Sequence, residues 1–154
     1  MMTFTMRNFA RTSLTLRLRS AELVNDIIND LNNQGKNASG TLAKSVKFSL
    51  AKSGGLISVD FKAKDYWKWV DKGRRPGKQP PVKPLIRWAK TKLGLSGKEA
   101  ESAAYAISRF IGKNGTKGTN IFTNNINKFK KDAQKLQGKE LKADLTEFIT
   151  KAFK

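Results

Sequence analysis

VKFSLAKSGGLISVDFK, residues 46–62, is the stretch that decides the fold class. Val46, Phe48 and Leu50 alternate with Lys47 and Ser49, and Ile57, Val59 and Phe61 alternate with Ser58 and Asp60. A period of two places such residues on one face of a strand, and Ser53-Gly54-Gly55 between the runs supplies the turn. The spacing predicts a β-hairpin, 46–51 with 56–62, polar on one face and apolar on the other. That apolar face needs a layer of helices to cover it.

Helices are predicted on both sides. Upstream, Leu23, Val24, Ile27, Ile28 and Leu31 form one helical stripe. Ser20 serves as N-cap, Glu22 suits the positive end of the helix, and Asn32, Asn33 and Gly35 end it. Before that stripe, Leu14, Leu16 and Leu18 alternate with Thr15 and Arg17, which predicts a strand near 14–18, although the same leucines also suit the opening of a helix. Residues 1–13 are polar and aperiodic, an irregular N-terminal arm. A short helix is expected at Leu42–Ser45 after the turn GKNASGT, residues 35–41. That turn is no phosphate-binding loop, because Gly40 is followed by Thr41 without the lysine that would reach the phosphates.

Downstream lies YWKWVDKGRRPGKQPPVKPLIRW, Tyr66–Trp88, which contains every tryptophan and every proline of the chain. A short helix over Asp65–Val70 would put Tyr66, Trp69 and Val70 on one side. Gly73 ends it, Arg74-Arg75-Pro76-Gly77 turns, Pro80-Pro81 is extended, and Pro84 stands at the first position of the next helix. Leu85, Ile86, Trp88, Ala89 and Leu93 form the apolar face of that helix, and Gly94 stops it. Ser96-Gly97-Lys98-Glu99 has the spacing of a capping box. The helix it opens carries Ala100, Ala103, Ala104, Ile107, Phe110 and Ile111 as its stripe and ends at Asn114-Gly115. After the flexible loop GTKGT, residues 115–119, one stripe runs through Phe122, Ile126, Phe129, Ala133 and Leu136. A second runs through Leu141, Leu145, Phe148, Ile149 and Ala152. Gly138 between them predicts two helices or a kink, with a separate C-terminal helix over 139–154. The fold class is thus α+β: a small antiparallel sheet packed by four to five helices, in a single domain spanning 1–154.

Composition limits the chemistry. The 154 residues contain neither cysteine nor histidine, which removes disulfides, thiol nucleophiles, the usual zinc ligands and histidine acid/base catalysis. Only 12 acids are present, and the row Glu22, Asp26, Asp30 on one helix face reads as a solvated surface. A structural protein rather than an enzyme is expected, with no metal and no cofactor. The N-terminus lacks the apolar core of a signal peptide, and no apolar run is long enough to span a membrane. The formal charge of +19 is spread along the chain, and it attracts nucleic acid, anionic membrane or an acidic protein.

The charge is densest around the prolines: Lys62–Lys92 holds eleven Lys and Arg against Asp65 and Asp71. Arg74, Arg75 and Lys78 sit on a turn stiffened by Pro76, Gly77, Pro80 and Pro81, a suitable clamp for the phosphates or carboxylates of a partner. Trp67 and Trp69 lie two residues apart on a helix, so they diverge and one must face outward.

Four segments in this order resemble the tail-completion, or head–tail joining (neck), proteins of tailed phages, including the minor tail protein Z-like group. They are the Asn-Ala-Ser-Gly-x-Leu-Ala-x-Ser turn at 37–45, the aromatic-Val-Asp-x-Gly-Arg-Arg-Pro-Gly-Lys-x-Pro-Pro core at 69–81, the Ile-x-Trp-Ala helix at 86–89, and the Ala-rich helix leading through Gly-Thr-Lys-Gly-Thr into Ile-Phe at 103–122. The resemblance spans about Leu23 to Leu136. It implies a non-catalytic subunit of a homo-oligomeric ring, on the order of six or twelve copies, between the head connector or portal and the tail. Adaptor or stopper proteins, tail proteins and, non-specifically, genome DNA in the exit channel are the implied partners. No membrane is implied, and the location is the virion neck after assembly in the host cytoplasm. The interface residues expected on this reading are Trp67, Trp69, Arg74, Arg75, Pro76, Gly77, Lys78, Pro80 and Pro81, with loop contacts at Thr116, Lys117 and Thr119. The competing reading, from charge alone, is a basic nucleic-acid-binding protein acting outside the virion.

Overall fold

The computed structural model describes residues 2–7, 12–36 and 38–152, with the side chains of 12–36, 38–139, 142, 143 and 146. The fold is α+β. The elements are β1 (Met2–Arg7), α1 (Thr12–Asn33), α2 (Thr41–Ser45), β2 (Lys47–Ser53), β3 (Leu56–Lys62), α3 (Trp67–Lys72), β4 (Gly73–Arg74), α4 (Val82–Leu93), α5 (Gly97–Asn114), β5 (Thr116–Lys117) and α6 (Ile121–Ala152).

The hairpin forms as its alternation requires. Strands β2 and β3 pair from Lys47↔Lys62 to Ser53↔Leu56, and Gly54 and Gly55 make the two-residue turn with φ of 54° and 74°. Two consecutive left-handed residues are what a type I′ hairpin turn demands. Ile57, Val59 and Phe61 are buried, while Phe48 and Leu50 pack against the same core from the neighbouring strand.

The third strand is β1, antiparallel to the other side of β3 with Met2 opposite Phe61 and Arg7 opposite Leu56, so the sheet order is β1-β3-β2. Two expectations change here. The segment 2–7, expected as an irregular arm, is a strand; the strand expected near 14–18 is helix, within the first two turns of α1. The alternating leucines misled because residues two apart on a helix diverge. Leu16 is fully buried, whereas Leu14 and Leu18 are exposed. The true stripe of α1 is Thr12, Leu16, Ser20, Leu23, Ile27 and Leu31, and its two hydroxyl residues concealed it. Residues 8–11 and Asn37 of the turn motif lie outside the described residues.

Helix α1 and the first half of α6 lie together over the apolar face of the sheet. Ile121, Phe122, Ile126, Phe129 and Ala133 enter the core, and the Phe129 ring meets the edge of Phe61 at 5.3 Å. Two acids expected to be merely solvated join this contact: Asp30 accepts from Asn125 Nδ2 at 2.7 Å, and Asp26 pairs with Lys128 at 3.2 Å. Helix α6 runs unbroken through Gly138 rather than dividing there. An interior glycine costs about 1 kcal/mol relative to alanine, which flanking helix formers such as Lys135, Leu136 and Lys139 offset. The side chains of its expected second stripe, Leu141, Leu145, Phe148, Ile149 and Ala152, lie outside the described residues.

Helices α4 and α5 pack mainly on each other. The fully buried residues of the pair are small, Ala89, Ala100, Ala104 and Ser108. Phe110, expected on the packed stripe, is 65% exposed, and Trp88, Leu93 and Tyr105 are exposed as well. Pro84 is the third residue of α4, not the first, and is tolerated because the first four N–H groups of a helix have no internal acceptor. The expected capping box does not form. Gly97 enters α5 with φ of 49°, and Ser96 makes no side-chain cap bond. Among the described residues, no helix is long and apolar enough to cross a membrane.

A candidate partner-binding cleft between two glycine-flanked strands

The site begins with α3. This helix is a single short run, and its two tryptophans part as expected. Trp67 turns inward and meets Phe122 with the rings tilted and their centroids 5.1 Å apart. It packs against the body while staying half-buried: residues 67 and 70, one helical turn apart, face the core together. Trp69 points the other way and is 56% exposed. Tyr66, Trp69 and Val70 consequently do not share a side. Partial burial raises the Tyr66 phenol above its ordinary pKa.

Asp71 joins α3 to the start of α6. Its side chain is fully buried, accepting the Thr123 backbone N–H at 3.0 Å and the Thr123 hydroxyl at 2.5 Å. Thr123 is the third residue of α6, so a carboxylate from another element caps this helix and meets its positive end. Lys72 Nζ adds a bond to Thr123 Oγ1 at 2.7 Å and lies 3.5 Å from the Asp71 carboxylate. The backbone follows the same path: Thr119 N–H and hydroxyl both donate to the Val70 carbonyl, and Asn120 N–H donates to that of Asp71. Thr119, one of the expected loop contacts, thus ties the end of α3 to the start of α6.

The next residues bring together two loops more than forty positions apart. Strand β4 pairs with β5, Gly73 opposite Lys117 and Arg74 opposite Thr116. The 115–119 loop, expected to be flexible, is therefore tied down. Two glycines permit the approach. Gly73 and Gly115 both have φ above 70°, and a Cβ on either would land on a carbonyl oxygen across the pair, that of Thr116 or Arg74.

The rest of the 74–81 loop is braced against α5. Gly77 N–H donates to the Gly112 carbonyl at 2.7 Å, and the Ser108 hydroxyl donates to the Pro80 carbonyl at 2.8 Å. Arg74 donates to the Lys78 carbonyl at 2.9 Å while its guanidinium lies over the Trp69 ring, 5.2 Å from the centroid. Gly77, Pro80 and Pro81 thus position the loop, the last as the residue before α4.

Between the two strands and their flanks lies an open cleft of about 780 Å³. Lys72, Arg74, Arg75, Lys78 and Lys117 supply its charge, and Trp69, Pro76 and Thr116 complete the walls with the bare backbone of Gly73 and Gly118. Among the described residues, no acidic side chain lines it. Of the residues singled out in the sequence, Trp69, Arg74, Arg75, Pro76, Lys78, Thr116 and Lys117 converge here. Lys72 and the two glycines were missed, as was Asp71, whose only signal was its being an acid in a basic stretch. Among the described residues, no three of His, Cys, Asp and Glu gather as a metal site. The arrangement can take an anion, hold it against a rigid wall and offer one indole edge beside it. No family model matches the chain, and no curated protein or solved structure matches it either.

Proposed function

We propose that this chain is a structural subunit of the phage neck, forming a ring that joins the head connector to the tail around the DNA exit channel. One observation of the fold supports the assembly part of this reading most. The α4–α5 unit leaves Trp88, Leu93, Tyr105 and Phe110 exposed. Exposed apolar residues of this size suit a surface covered by a neighbouring subunit. The basic cleft beside that unit suits a second contact, to an adaptor, stopper or portal protein. The neck assignment itself rests on the order of the Asn-Ala-Ser-Gly, Gly-Arg-Arg-Pro-Gly-Lys, Ile-x-Trp-Ala and Gly-Thr-Lys-Gly-Thr segments. In this role the protein has no catalytic task, enters the virion from the host cytoplasm and needs no cofactor.

Sedimentation of the purified chain, with negative-stain imaging of its largest species, tests the reading. Closed rings, or rings formed on addition of the connector, are expected. A monomer that stays monomeric with the connector present, yet binds duplex DNA at about 0.15 M salt, would instead favour a nucleic-acid-binding protein acting outside the virion, which the charge of +19 supports.

A further inference from the structure

The geometry points to the cleft between β4 and β5 as the receptor for an acidic protein segment, an extended stretch of a partner bearing two or more carboxylates. The inference rests on the reading of this loop as a partner-facing surface and not on ring formation. Charge gives the class of ligand. Among the described residues, five cations and no acid line the cleft. Lys72 is engaged by Asp71 and Thr123, and Arg74 is held by the Lys78 carbonyl and the Trp69 ring. Arg75, Lys78 and Lys117 are left to meet the incoming charge.

Shape and the state of Trp69 favour protein over nucleic acid. A duplex is a convex rod and reaches only the rim of a concave cleft of this size. A single strand would enter, but such strands gain much of their affinity by stacking bases on open aromatic faces. The single tryptophan here already carries the Arg74 guanidinium on one face. Carboxylates need no such platform. An arginine fork donates to a carboxylate in two-point fashion, and the edge of the indole then serves an apolar neighbour in the same segment. The wall is also preformed, because the paired strands and the bonds from Gly77 and Pro80 to α5 fix the loop before anything binds. Little ordering entropy is then lost on binding.

The test uses the full chain with three fluorescent probes: hexaglutamate, an oligothymidine and a short DNA duplex. Each is titrated by anisotropy at about 0.15 M salt. Arg75→Ala/Lys117→Ala is compared with Lys90→Ala/Lys92→Ala, which removes the same charge from exposed positions of α4. Arg75→Gln/Lys117→Gln repeats the cleft variant with longer side chains in case the alanine pair fails to fold, and circular dichroism melts confirm folding. For hexaglutamate, the cleft pair is expected to lose about tenfold in affinity and the control pair about twofold. For the nucleic acids the two pairs should lose alike. The proposal is overturned if the cleft pair's excess loss for hexaglutamate is absent, or is no larger than its excess loss for oligothymidine or duplex. The latter result would make the cleft a nucleic-acid site. Ring assembly plays no part in the readout, so its failure would leave this result standing.

Discussion

Replacing Asp71 with alanine removes the acceptor that starts α6. The Thr123 N–H, now bonded at 3.0 Å to a fully buried carboxylate, would lose a charged partner. A bond to a charged group contributes about 1.5–3 kcal/mol. The Thr123 hydroxyl loses its 2.5 Å acceptor as well, which adds about 1 kcal/mol. The helix end also loses a negative charge, worth about 0.5 kcal/mol, and the better helix propensity of alanine returns a similar amount. The net expectation is a loss of about 3 kcal/mol, or about 6–12 °C in Tm for a chain of this length. Asp71→Asn keeps one carbonyl oxygen and should lose about half as much. Urea unfolding followed by circular dichroism measures both. Asp65→Asn is the control: it makes the same change in charge at an exposed position and should stay within about 0.5 kcal/mol. A cycle with Thr123→Val should show a coupling of about 1 kcal/mol or more. If Asp71→Ala proves no worse than the Asp65 control, or couples to Thr123 by nothing measurable, the cross-element cap is not what anchors α6.

Gly73→Ala should destabilise by about 2–4 kcal/mol, since its Cβ would strike the Thr116 carbonyl. Gly54→Ala, equally left-handed but open on all sides, should lose only about 1 kcal/mol in the same denaturation assay. In the α4–α5 contact, Ala104→Leu should overpack the interface and lose about 1–3 kcal/mol. Phe110→Ser on the exposed side should change monomer stability by less than about 0.5 kcal/mol, while weakening self-association seen by sedimentation. Gly138→Ala should raise Tm, by up to about 1 kcal/mol of added stability, because α6 is continuous there.

The elements that could be recognised in the sequence were those whose pattern lies within one element. The 46–62 hairpin declared itself because alternation and a glycine pair are local. The start of α1 did not, because Thr12 and Ser20 occupy buried positions where a leucine would have marked the stripe. Strand β1 carried a faint signal, the alternation of Met2, Phe4 and Met6 with Thr3 and Thr5, too short to outweigh an aperiodic surrounding. The basic loop was visible through its composition, and its outward tryptophan through helix geometry. Its other wall was not, since Thr116 and Lys117 form a strand only because Gly73 and Arg74 lie opposite. The cap from Asp71 to Thr123 spans 52 positions and leaves no local trace.

The β4–β5 pair has one more consequence. Residues 75–115 leave the body at Arg74 and return at Thr116, which sit opposite each other, and none of them contributes to the main hydrophobic core. The α4–α5 unit is therefore attached as an insertion whose two ends meet at its base. Its outer surface is free to be rewritten without disturbing how the sheet, α1 and α6 close on one another. A graft that replaced 75–115 with a two-residue turn would leave that nucleus its full set of buried side chains.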